Sequence, residues 1–336
     1  MTSNGDDAVK VVPVRHYARW VGTVIVVIII AMIVHAIFSK VGTGVNICTH
    51  SNGIRHCHQP QRWRFYWNIV FHYFTTYDVI HGLFLTILLT VYAMTIGIVL
   101  GVILAVMRRS RSRLLSSTAW TYTWFFRGTP VLVQLLFWFN ITAIFKTITI
   151  GLPFLNVTFL HLNLIALLPA FNAAALALGL NEAAYMSEIA RAGLLAVDEG
   201  QIEAATSIGM TRGQSLRLVV LPQAMRVIIP PTGNEVISML KTTSLASAVG
   251  VTELLGAVTN ISAANYQVMA LLIVASLWYL LVTTILSIGQ FYLERHFAKG
   301  ALRNPPPTPI QRLRDDLKGV ASKYRTKRGV QTVTSP

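Results

Sequence analysis

Charge is scarce in this sequence. Of 336 residues, only 12% are Asp, Glu, Lys or Arg, against about 25% in soluble domains. Acid is scarcer still, with 13 Asp and Glu beside 28 Lys and Arg. Familiar catalytic signatures are missing as well. No G-x-x-x-x-G-K-[ST] phosphate loop occurs, nor even a Gly-Lys pair, so the chain cannot bind ATP by that route and any ATP-driven action needs another subunit. There is no H-E-x-x-H, no G-x-S-x-G and no convergent Ser/His/Asp set on the apolar segments, which argues against a membrane-embedded enzyme.

What is abundant is long apolar sequence: 54% of the residues are hydrophobic. A bilayer span needs about 20 mostly apolar residues. Trp20–Phe38 carries only His35 as a titratable group, and Leu83–Met107 and Val268–Leu293 carry no charge. The first run is longer than the core of a secretion signal and no A-x-A site follows, so it reads as an uncleaved span. A formal charge of +15 would suit nucleic acid, but its placement does not. With six spans and both termini cytoplasmic, the inner segments hold Lys10, Arg15 and Arg19, the cluster Arg108, Arg109, Arg111 and Arg113, then Arg191, Arg212 and Arg217, and ten Lys/Arg from Arg295 to Arg328. That is the bias of positive charge toward the cytoplasm that sets membrane orientation. The basic tail could also touch anionic headgroups.

The organisation follows from these runs. Residues 1–19 form a cytoplasmic lead, 20–38 an amino-terminal span and 39–82 an extracytoplasmic loop. Within that loop Trp67–Ile80 reads as an interfacial helix, because Trp and Tyr prefer the membrane boundary. A second span ends at the Met107–Arg113 cluster. A third, near Thr121–Phe145, contains Pro130, which predicts a kink or a delayed helix start. The fourth lies between Leu164 and Leu195. The fifth, Leu218–Leu240, is bracketed by Pro222 and Pro230–Pro231. Part of Lys241–Gln267 can re-enter or cover the bundle. A sixth span precedes a basic cytoplasmic tail, 297–336, whose start is stiffened by Asn304–Pro309. No internal repeat is visible.

The most informative stretch is Val197–Ala224, on the side assigned to the cytoplasm. Asp198 and Gln201 have capping-box spacing, so a helix can start near Glu199. Gly209 can end it in the left-handed conformation. Thr211 and Gln214 repeat the spacing and start the next helix. The result is a surface-lying helix of about three turns, Glu199–Gly209, held between two spans and placed to be gripped by a partner.

Glu203-Ala204-Ala205, Gly209 and Leu221-Pro222 resemble the EAA signature of permease subunits of binding-protein-dependent ABC importers. FFRGTPVLVQ (Phe125–Gln134), AAYMSEIARAGL (Ala183–Leu194), LPQAMRVIIPPTGN (Leu221–Asn234) and KTTSLASAVGVTEL (Lys241–Leu254) resemble its polar-amino-acid branch, in the same order. The resemblance covers roughly residues 82–296. It implies an all-α, polytopic membrane helical bundle with a type I permease-like core of five spans, 83–296, to which this chain adds an amino-terminal span, a long outer loop and a longer tail. It further implies that Glu199, Gln201, Glu203, Ala204, Ala205 and Gly209 form the coupling helix that docks in a cytoplasmic ATPase dimer. ATP and Mg would bind that partner and no cofactor this chain. The other implied partners are an extracytoplasmic solute-binding protein and a second permease copy, identical or similar, in a prokaryotic inner membrane.

Ionisable groups inside a bilayer are costly and face a cavity or a partner. Glu188 and Arg191, three apart, suit an ion pair on one helix face. Asn181, Glu182 and Tyr185 lie nearer mid-span, with Glu182 and Tyr185 on one face, where a carboxylate can hold an ammonium or a cationic side chain; a hydrogen bond to a neighbouring helix is the plainer alternative. Gln134, Asn234, Glu235 and Lys241 are weaker candidates for the substrate path. In the outer loop Cys48 and Cys57 are spaced for a disulfide. The string C-x-H-x5-H-C-H, with His50, His56 and His58, also permits a metal, and free thiols are the third option. The expected function is that of a permease for amino acids driven by a separate ATPase. A self-sufficient secondary transporter of a small polar solute is the alternative, although it leaves the capped Glu199–Gly209 element without a role.

Overall fold

The computed structural model describes residues 67–152 and 157–298, together with the strand residues 40–42, 47–51, 54–58 and 61–63 and five isolated positions between 27 and 35. The lead, nearly all of the amino-terminal span expected at 20–38 and the basic tail lie outside the described residues.

The chain folds as a helical bundle. In order, α1 is Trp67–Phe74, α2 Tyr77–Arg108, α3 Arg113–Gly128, α4 Val131–Ile144, α5 Ala170–Leu195, α6 Glu199–Ser207, α7 Leu221–Thr242, α8 Leu254–Asn265 and α9 Val268–Ala298. Among the described residues, Tyr77–Arg108 and Val268–Phe297 are each long and apolar enough to cross a membrane alone, and Arg212–Val249 with Leu254–Asn265 passes the same test only as a pair bent by 44°, the geometry of a broken span or a re-entrant loop.

Among the described residues there are three two-stranded antiparallel sheets. Strands β1 (Lys40–Gly42) and β4 (Gln61–Trp63) pair, as do β2 (Ile47–Ser51) with β3 (Ile54–His58) and β5 (Thr147–Leu152) with β6 (Val157–Asn163). The sequence reading left both regions without strands. The Val, Ile and Thr content of Thr147–Leu152 and Val157–Asn163 is the propensity that it passed over.

Several boundaries move. The interfacial helix stops at Phe74, and α2 begins afresh at Tyr77, six residues before the apolar run. The third span starts at Arg113 and is cut in two at Thr129-Pro130. Prolines 230 and 231 do not end the fifth span but lie inside α7. Gln290 from α9 donates to Pro230 O at 3.3 Å and to Asn234 Oδ1 at 3.0 Å. Its side chain fills the space left by Gly233, so α9 supports the proline-bearing segment.

At the centre stands α5. Ala173, Ala174, Ala177, Ala183 and Ala184 are fully buried, because small side chains allow neighbours on every side to come close. Its tightest partner is α2. A Cβ at Gly179 would meet Ile96, one at Gly97 would meet Glu182, and one at Gly101 would meet Met186. Residue numbers rise together along this seam, so the two helices run parallel and end on the same side, where Arg108 lies 3.9 Å from Glu188. The core here is built from Leu89, Leu135, Leu178 and Met239. The outer flank of α2 exposes Phe84, Ile87, Val91, Val99, Val102 and Val106, an apolar surface suited to lipid.

At the opposite end α8 closes the bundle. Its start is capped by Glu253, which is fully buried and accepts from Leu255 N, Gly256 N and the Tyr279 hydroxyl at 2.9, 2.9 and 3.0 Å. Thr86 of α2 joins the same cluster, its hydroxyl accepting from Leu254 N at 3.0 Å. Phe74 stacks on Trp278 at 4.7 Å, and the indole donates to Phe74 O, which pins α1 to α9.

Candidate functional site

Two places gather the polar residues singled out from the sequence. The first is the broken span. Pro130 has no N–H, so the carbonyl of Phe126, four residues earlier, loses its helical donor. Two amides replace it. Gln134 Nε2 donates to Phe126 O at 2.9 Å and to Thr129 Oγ1 at 2.7 Å, and Asn181 Nδ2 donates to Phe126 O at 2.9 Å and to Gln134 Oε1 at 3.1 Å. Both side chains are buried. They tie the break to α5, as does Tyr122, whose hydroxyl donates to Leu180 O at 2.8 Å. Gln134 and Asn181 thus hold the wall of the site in shape.

Beside this wall lies Glu182, at the middle of α5 and 3% exposed. Its Oε1 is buried and has no hydrogen-bond partner. A buried polar atom without a partner is costly. Glu235 of α7 is within electrostatic reach of Glu182, and Arg127, from the end of α3, within reach of Glu235. The Arg127 guanidinium also sits 5.3 Å over the Tyr185 ring, a cation–π distance. Glu182 with Glu235, Glu235 with Arg127 and Arg127 with Tyr185 are thus linked pair by pair, a chain of two carboxylates, an exposed cation and an aromatic face. Arg127 was not among the sequence candidates. Its signal was its place immediately before the Gly-Thr-Pro break.

The remaining candidates lie apart. Asn234 is held by Gln290. Lys241 is at the far end of α7, lining a groove with Ser244, Tyr279 and Thr283. Glu188 binds Arg191 at 2.6 Å, the structural ion pair that the three-residue spacing predicts.

The second place is α6. Asp198 caps it, accepting from Gly200 N at 2.8 Å. The expected box with Gln201 does not close, because Gln201 Oε1 turns instead to Gln223 Nε2 at 3.5 Å. Gly209 has φ +82°, as a left-handed stop requires. Thr211 and Gln214 form a full capping box. The next turn, Leu216–Val220, is a π-helix leading into α7. Glu199, Gln201, Glu203 and Ala204 are exposed, but Ala205 is 4% exposed and faces inward. Of the two alanines only Ala204 lies on the exposed face, and Ile208, 77% exposed, adds an apolar group there that the sequence reading missed. On either side of α6, Val197 packs with Val220, Ala224, Leu194 and Ile228. The arms of this hairpin are clamped together at its base.

The arrangement is a surface helix carried on α5 and α7, and these same two helices place Glu182 and Glu235 within electrostatic reach of each other. Residues 97–299 match the family described as binding-protein-dependent transport system inner membrane component. An arginine transport system permease protein of Corynebacterium glutamicum is 40% identical over 304 residues, spanning 90% of this chain and 87% of that protein. A histidine/lysine/arginine/ornithine transport system permease protein of Escherichia coli is 35% identical over 179 residues, or 53% of this chain and 71% of that one. Among solved structures, an amino acid ABC transporter crystallised with histidines superposes with a TM-score of 0.59 at 34% identity, covering 70% of this chain and all of the other.

Proposed function

The chain belongs to the inner membrane components of binding-protein-dependent transport systems, and from that membership we infer that it is the permease subunit of an ATP-driven amino-acid importer that draws the cationic group of its solute to Glu182. The protein is a transport component and not an enzyme. Its kinship favours this reading over that of a self-sufficient secondary transporter. The observation that carries the choice of residue is the buried, partnerless Oε1 of Glu182 at the middle of the central helix, with Glu235 and Tyr185 beside it. A second carboxylate favours solutes with more than one positive group, in keeping with the arginine and histidine/lysine/arginine/ornithine permeases among the relatives. Asn181 and Gln134 fix the wall from which Arg127 approaches, and Arg127 offers a counter-charge to the solute's carboxylate. Asn234 and Lys241 line the route further along α7 in this proposal, outside the first contact.

As a member of such a system the permease works with an ATPase and a solute-binding protein. We further propose that Glu199–Gly209 is the element that the ATPase grips, through Glu203, Ala204 and Ile208, and that ATP and Mg are bound by that partner alone. A second permease copy would complete the path. The Arg108–Arg113 turn and α6 end on the same side of the bundle, which supports a cytoplasmic assignment for both, with the 39–82 segment outside and both termini within.

Transport into proteoliposomes holding the permease, its ATPase and its binding protein tests the site. Glu182→Gln keeps the size and removes the charge. Uptake of a cationic amino acid should fall at least tenfold while ATP hydrolysis persists, and unchanged affinity and rate would remove Glu182 from the path.

A further inference from the structure

We infer that Cys48 and Cys57 are joined in a disulfide across the outer hairpin, and that the neighbouring histidines do not complete a metal site with them. The register places Cys48 directly opposite Cys57 in an antiparallel pair, with Ile47↔His58, Thr49↔His56, His50↔Arg55 and Ser51↔Ile54 as its other rungs. Ser51 and Ile54 enclose two residues, Asn52 and Gly53, the dipeptide that two-residue hairpin loops favour most. The pair closing such a loop is hydrogen-bonded, and rungs then alternate between hydrogen-bonded and non-hydrogen-bonded pairs. Counting outward, Cys48 and Cys57 occupy a non-hydrogen-bonded rung, where Cα atoms stand about 4.5 Å apart. That separation falls inside the range of about 4.4–6.8 Å that a disulfide spans.

The same register decides against the metal. Successive strand residues alternate between the two faces. Positions 48 and 50 of β2 share a face with 55 and 57 of β3, while 56 and 58 belong to the other. The string C-x-H-x5-H-C-H is therefore split, and His56 and His58 lie on the face away from both cysteines. One face offers Cys48, Cys57 and His50, fewer than the four ligands of a structural zinc site.

A two-stranded hairpin alone is marginal in water, and a covalent rung at its middle keeps the arm formed. Closing the bond removes two protons and two electrons from the two thiols. A disulfide-bearing oxidant of the extracytoplasmic compartment accepts both and leaves as a dithiol. The inference rests on the proposed orientation for its oxidant and on the register alone for its geometry.

The test uses the full-length protein in native membranes, acid-quenched, denatured and treated with a maleimide polymer that retards the band once per thiol. The expected result is no adduct before reduction and two after it. Cys48→Ser and Cys57→Ser should each give one adduct without reduction. Two adducts before reduction would overturn the proposal in favour of free thiols, and two released by a chelator alone would overturn it in favour of a metal. A non-reducing dimer that collapses on reduction would overturn the intrachain pairing. Reduction of intact cells with an impermeant phosphine, followed by an impermeant maleimide, reads the side separately. Labelling only after lysis would overturn the orientation and leave the bond standing.

Discussion

A β-carbon on Gly97 would lie 2.5 Å from Glu182 Cγ and 2.7 Å from its Cβ, so the absent side chain of one helix sets where the central carboxylate of the next can stand. Gly97→Ala should push Glu182 off its position without removing its charge. Overpacking of this kind costs about 1–3 kcal/mol. The expected outcome is a KM for cationic solute raised about tenfold, which corresponds to about 1.4 kcal/mol, with the protein still inserted and assembled. Wild-type KM in the alanine variant would show that the contact yields without consequence.

The Phe126 carbonyl supplies a second prediction. It is freed by Pro130 and taken by Gln134 and Asn181. Asn181→Leu keeps the branched outline but leaves that carbonyl and Gln134 Oε1 with fewer donors. An unmet buried polar group costs about 1–3 kcal/mol, so Tm in detergent should drop clearly. Pro130→Ala restores a backbone donor, and in that background the loss should shrink. Equal losses in both backgrounds would refute the link between the proline and the amides.

The exposed face of the surface helix supplies a third. Glu203→Lys reverses a charge on that face, and Gly209→Val puts a β-branched residue at φ +82°, a conformation that costs ordinary residues roughly 1–2 kcal/mol. Both should cut copurification of the ATPase severalfold while Tm of the isolated permease changes little for Glu203→Lys. Full retention of the ATPase in both variants would move the docking surface elsewhere.

Glu253 gives a fourth. As the buried cap of α8 it satisfies two backbone N–H groups and the Tyr279 hydroxyl. Glu253→Leu strands all three, and loss of a cap alone costs about 0.5–2 kcal/mol. Stability in detergent should fall by at least that amount, and Glu253→Gln, which keeps an acceptor, should recover part of it. A leucine variant as stable as wild type would make the cap dispensable.

The sequence disclosed most where local chemistry dictates local form. Asp198, Gly209 and the Thr211–Gln214 pair mark helix ends by capping rules that need no tertiary partner, and the structure follows them. The apolar runs of α2 and α9 were legible because a membrane demands length. Other features depend on what lies across the bundle. Asn181 reads equally as a ligand group or a tether until Pro130 is seen to free the carbonyl facing it. The prolines of α7 look like helix ends until Gln290 arrives from α9 to support them. Arg127 gains its place only because α3 stops where it does, setting its guanidinium over Tyr185. Ala205 could not be told from Ala204 without knowing which side of α6 faces the spans.

The glycine seam between α2 and α5 has a consequence for how such a machine can move. Gly97, Gly101 and Gly179 interlock the two backbones at three successive levels, so sliding one past the other by a single residue would drive side chains into main chain. The pair is a stiff spar. Looser joints lie outside it, and one is the π-turn at Leu216–Val220, where a widened coil joins the exposed surface helix to the proline-bearing arm that carries Glu235.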